Sequence, residues 1–152
     1  MAAIAGQIAK DIGIEIVSRN AASAVTMGDV VGFDADGNAR TASITNTTSN
    51  IANGFGVAIE DGTASSNMRV AVGNTYVYVT CGVGPIDPYA LVKPTTSASI
   101  TGRVVENTFA TTATNSVTLL GSLVGRYMGH EGEEDNQTDA TTGEVIIVRL
   151  GL

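Results

Sequence analysis

Apolar and polar positions alternate with a period of two along most of the chain, in short runs broken by Gly, Asn, Asp and Pro. That pattern predicts many short strands joined by tight turns. "VTMGDVVGFDADGNARTAS" opens the clearest unit: a strand through Val30, Val31 and Phe33, a polar turn from Asp34 to Asn38, and a return through Ala39 and Thr41. This is a hairpin. Further strands are expected from Phe55 to Ile59 and through Met68, Val70 and Val72, after a Thr/Asn/Ser loop. In "YVYVTCGVGPIDPYALV", Tyr76 and Tyr78 share one face and Val77 and Val79 the other. Gly82 and Gly84 end that run, Pro85 and Pro88 fix the connection, and a strand resumes from Tyr89 to Val92. The closing "GEVIIVRLGL" is apolar on both alternating sets, Ile146, Val148 and Leu150 against Val145 and Ile147, which predicts a strand buried on both faces.

Two regions resist this reading. Ile4, Ile8 and Ile12 recur at helical spacing, whereas Ile12, Ile14 and Ile16 alternate as in a strand. Residues 1–24 are therefore read as an extended N-terminal arm, helix or strand undecided, preceding a β-domain over 25–152, with a terminal strand of the domain's own sheet as the alternative. The run Val117 to Val124 is equally ambiguous and is taken as β from its surroundings. The fold class is all-β: one small β-barrel or β-sandwich-like domain with an arm.

Composition agrees with this. In 152 residues there are 18 glycines and no tryptophan, 43% apolar and 15% charged residues, a mixture suited to strands and turns and too apolar for disorder. The net charge is −7 and the lysines are Lys10 and Lys93 alone, too few cations to track a phosphate backbone, so nucleic-acid binding is not expected. No run reaches the ~20 apolar residues of a membrane helix, and Lys10 and Asp11 interrupt the apolar start, so neither a membrane span nor a signal peptide is expected. Acidic residues concentrate in a loop at 129–142, with Glu131, Glu133, Glu134, Asp135 and Asp139, read as solvated charge on a loop tip.

The inventory for catalysis is poor. Cys81 lies in an apolar strand, and the one histidine, His130, stands among acids that favour imidazolium and disfavour thiolate, so Cys81 is read as a small hydrophobe. Asp34, Asp36 and Asn38 begin like a calcium loop, but the glycine falls at the fourth position and no glutamate closes the loop at the twelfth. Gly54 and Gly56 lack the third glycine of a dinucleotide fingerprint. No enzyme activity, metal or cofactor is expected. Tyr76, Tyr78 and Tyr89 are candidate interface residues, with a carbohydrate-binding face as the remote alternative.

The succession "GDVV", "DGNARTAS", "GVAIEDGTASSNMRVAV", "YVYVTCGVGPIDPYALV", "GRVV", "VGRYMG" and "GEVIIVRL" resembles the capsid cement, or head decoration, proteins of tailed bacteriophages over Val25 to Leu152. The order of the pieces carries the resemblance. The acidic loop after Met128 and the Thr/Ser segment from Thr95 to Ser116 depart from it. The resemblance implies a protein of the virion's outer capsid surface, a homotrimer bound to the major capsid protein, that resists the pressure of packaged DNA. A tail-tube or shell subunit is the alternative. The arm isoleucines Ile4, Ile8, Ile12, Ile14 and Ile16 are the expected contacts, through a strand edge over Ile12 to Val17 completed by the capsid protein. On this reading, removal of residues 1–16 weakens shell binding and leaves the body folded.

Overall fold

The computed structural model describes residues 2–42, 54–95, 100–107, 123–131 and 138–151. Ten strands follow in chain order: β1 (Glu15–Asn20), β2 (Val30–Phe33), β3 (Ala39–Thr41), β4 (Phe55–Ala58), β5 (Asn67–Val72), β6 (Tyr76–Val83), β7 (Leu91–Pro94), β8 (Val104–Glu106), β9 (Gly125–Gly129) and β10 (Val145–Leu150). All regular structure among the described residues is strand, as the alternation required. The Thr/Asn/Ser loop after Thr41, most of the Thr/Ser segment, most of the run Val117 to Val124, and Glu133, Glu134 and Asp135 lie outside the described residues.

The strands form two bodies that share a core. One is a sheet of order β1-β5-β4-β2-β3, and the other is a closed barrel of order β10-β6-β8-β7-β9. Barrel pairings are antiparallel except β6 with β8, which run parallel from Cys81↔Val104 to Val83↔Val105. The inward set of β6, Val77, Val79 and Cys81, meets Ile146, Val148 and Leu150 of β10, Val92 of β7 and Tyr127 of β9. Val30, Val57 and Ala71 from one face of the sheet join that same cluster. The other face of the sheet builds a second core around Val31, Met68 and Val70. Ala21, just past β1, bridges Ala39 in β3 in parallel, so the sheet rolls toward closure around this core.

Expectation and structure agree closely at the chain's end: Ile146, Ile147 and Val148 are all buried, although they alternate between faces. They differ at Tyr89. The strand begins at Leu91, because Tyr89 has φ 62°, a left-handed conformation that a ladder does not accept.

The hairpin turn after β2 is organised by one carboxylate. Asp34 Oδ1 accepts hydrogen bonds from the N–H of Asp36 (3.0 Å) and of Asn38 (2.9 Å), and Oδ2 meets Arg40 Nε at 3.2 Å. This is turn chemistry, with every carboxylate oxygen engaged by the chain's own donors. Burial raises the Asp34 pKa, but the Asn38 N–H, the Arg40 guanidinium and the Asp36 N–H outweigh it and hold the carboxyl below its ordinary value. A lowered native pKa means that its stabilisation is complete above the ordinary carboxylate pKa and is lost as pH falls through the native value. Asp34→Ala is therefore expected to cost about 2 kcal/mol near neutral pH. Urea unfolding at pH 7 and pH 3 should show the difference from the parent protein shrinking at the lower pH.

Candidate assembly surfaces

The residues singled out from the sequence separate into three places. The first is the N-terminal segment, which is docked on the barrel. Gly6 N–H donates to Tyr78 O (2.8 Å), Tyr78 N–H to Gln7 O (3.0 Å) and Ala9 N–H to Tyr76 O (2.8 Å), with Ile8 bridging Val77. The barrel's β8 covers only the far half of this β6 edge, so residues 6–9 complete the near half. Ile8 packs against the barrel core, whereas Ile4 and Ile12 are 56% and 59% exposed. The helical spacing of Ile4, Ile8 and Ile12 produces no helix; a turn at Ala5–Gly6 and a bridge at Ile8 stand there instead.

The period-two reading holds for the second half of this region. Glu15–Asn20 is the edge strand of the sheet, in antiparallel register with β5 from Glu15↔Val72 to Asn20↔Asn67. Val17 packs on the second core, while Ile14 and Ile16 lie exposed. Removing residues 1–16 would thus take away part of two ladders, so such a cut costs the body stability as well as removing the arm's exposed isoleucines.

The second place is the tyrosine face. Tyr76 and Tyr78 are half-buried, and the Lys10 ammonium stands 4.9 Å from the centre of the Tyr76 ring, a cation–π contact that occupies that ring's face. Tyr89 is not with them; it is exposed on the turn before β7, where its carbonyl accepts from Arg126 Nη1 at 2.7 Å. Near β7, exposed Val83 borders a groove of about 280 Å³ with Pro85, Lys93, Val105 and Glu106. Sequence reasoning passed over Val83, which alternation places in the inward set with Val77, Val79 and Cys81; the register shift between Cys81 and Val83 leaves it exposed instead.

The third place is the base of the acidic loop. His130 Nε2 lies 2.7 Å from Glu144 Oε2, and its Nδ1 lies 3.1 Å from the hydroxyl of Tyr127, whose proton is donated to Thr138 O at 3.1 Å. The Thr141 N–H and His130 hold the Glu144 carboxyl below its ordinary value. Glu131 accepts from Ala3 N–H at 2.7 Å and so tethers the start of the chain to this loop. Ala3, His130, Glu131, Thr138 and Glu144 line an open cleft of about 520 Å³. Among the described residues no three His, Cys, Asp or Glu side chains converge as metal ligands.

Cys81 is fully buried, and its pKa is pushed up to about 11, by burial first and then by the charge of Glu144. A thiol in that setting is protonated at neutral pH and packs as a hydrophobe. His130 is committed to Glu144 and Tyr127.

Comparison with protein-family models and with curated proteins gave no match. Among solved structures, the chain is similar to the N base of the head fiber gp8.5 of bacteriophage phi29. The TM-score is 0.52 at 13% identity, over 91% of this chain and 94% of that one. The likeness is one of fold. It extends over nearly the whole length of both chains.

Proposed function

We propose that this chain is a structural protein of a tailed-phage head, a decoration or cement protein that attaches outside the assembled shell and stabilises it against internal pressure. The fold likeness to a head fiber base over 91% of the chain is the observation that carries the reading. It acts as a homotrimer on the major capsid protein and catalyses no reaction. Ile4, Ile12 and Tyr89 are exposed apolar positions of the kind that a shell contact would cover. Linking three weak contacts in one trimer makes the second and third intramolecular, which raises overall affinity by about 10² or more without strengthening any one of them.

Electron microscopy of the purified protein mixed with empty expanded heads tests this. Ordered added density at three-fold positions is expected, and Ile12→Asp should reduce occupancy. Heads that stay bare at saturating protein would refute it. The same likeness favours a second reading, in which the domain is a base carrying a projecting fiber; density extending outward from the bound domain in the intact virion would distinguish it.

A further inference from the structure

The outer edge of β1 presents main-chain groups and a charge pattern that match a second copy of themselves. Glu15 N–H donates to Thr75 Oγ1 (2.8 Å), Ala21 N–H donates to Ser66 O (2.9 Å) and Ala21 O accepts from Ser65 N–H (2.8 Å). Odd-numbered residues therefore direct their main-chain groups toward β5. By alternation, Ile16 and Ser18 direct theirs away from the sheet, at its edge, where Ser18 O accepts from the exposed Arg19 Nη1 at 2.9 Å, a contact that strand pairing would exchange. An edge of this kind is a template for another strand unless it is short, charged or covered. Beyond Asn20 the edge is covered, because Ala22 N–H donates to Ala39 O (2.9 Å). From Glu15 to Arg19 every residue but Val17 is exposed, Ile16 by 40%.

We propose that two copies of this chain pair through β1, antiparallel, about a two-fold axis at Val17. In that register Ile16 and Ser18 of the second copy exchange N–H and C=O groups with Ser18 and Ile16 of the first. The two Val17 residues face each other as a close pair without hydrogen bonds, where side chains approach most nearly. Glu15 then lies opposite Arg19 of the second copy, twice by symmetry. A pairing shifted by two residues in either direction would set both of these charges opposite uncharged residues. The order Glu-x-Val-x-Arg is thus self-complementary in one antiparallel register, and the contact is isologous. The Ile16 side chains come diagonally across the seam and shield each other. This contact does not depend on the capsid reading. In a trimer it would join one trimer to the next, because a two-fold contact cannot close a three-membered ring.

Sedimentation equilibrium over a wide concentration range, on Glu15→Arg, Arg19→Glu, their equimolar mixture and Ser18→Pro, tests the proposal. The parent protein should show reversible doubling of its basal mass. Each single charge variant places like charges opposite one another and should associate at least about tenfold more weakly. In the mixture, a pair made of one copy of each variant again sets opposite charges across both ends of the seam, and association should recover. Ser18→Pro removes only an outward N–H, so it should abolish doubling while the circular dichroism stays that of the parent. A parent protein that never doubles, a mixture no better than its components, or a folded Ser18→Pro variant that still doubles would each overturn the proposal. So would protection of the Ile16 and Ser18 amides that appears only when shells are added, since the edge would then belong to another chain.

Discussion

Replacing Gly125 by alanine is expected to destabilise the protein by about 3 kcal/mol, at the upper end of what overpacking costs. Gly125 begins β9, where it stands opposite Leu150 of β10 on one side and Val92 of β7 on the other, the pairings that close the barrel. A Cβ at this position would overlap the carbonyl oxygen of Arg149 and lie 2.9 Å from its carbonyl carbon and 3.0 Å from Leu150 Cα. All of these are main-chain atoms, so no rotamer change relieves the clash and β9 must move away from β10. Leu150 and Val148, both buried in the shared core, move with it. Urea unfolding should show a lower midpoint with an unchanged slope. A loss below about 1 kcal/mol, the low end of that range, would mean that the strands separate there at little cost.

A chain lacking residues 1–9 is expected to lose about 3 kcal/mol, from main-chain hydrogen bonds worth about 1 kcal/mol each and the partial burial of Ile8, less the entropy regained. The loss is local before it is global. Tyr78 N–H, which donates to Gln7 O, should exchange rapidly in the truncated protein and slowly in the full chain. Gly6→Val should act in the same direction at full length. Gly6 has φ +93°, and a Cβ there would stand 2.6 Å from Met27 Cγ, 2.7 Å from Gly28 N and 2.8 Å from Ala58 O. If Tyr78 stayed protected in both variants, residues 6–9 would not be part of the barrel wall. The two variants also matter for shell binding, because weakened binding after truncation has a structural component that exposed Ile4 does not share.

How much of this was legible in the sequence follows from the range of each signal. The hairpin around Asp34 was visible because its donors lie within six residues of the carboxylate. The faces of β6 and β10 were visible because alternation is a property of each strand alone. The doubly buried run at Ile146 to Val148 is the clearest instance. The apolar neighbours of Cys81 marked it as a packed residue, although the carboxylate near it, Glu144, lies far along the chain. Nothing local marked His130 as the partner of Glu144, fourteen residues away. The acidic neighbours of His130 in the sequence suggested a solvated loop tip, whereas the imidazole is held against the barrel by Tyr127.

The sequence by itself determined that this chain is all-β, which residues of β10 and of most of β6 turn inward, and where the hairpin turn at Asp34 falls. Those features depend on contacts between near neighbours and on the period of the backbone. Only the tertiary structure decided that Ile8 lies on the barrel while Ile4 and Ile12 remain exposed, that β6 runs parallel to β8, and that β1 is left as an edge. An apolar period states that a face will be buried but not against what. Partners distant in the chain are chosen by the closure of the whole, where backbone groups of one strand find the last unpaired groups of another.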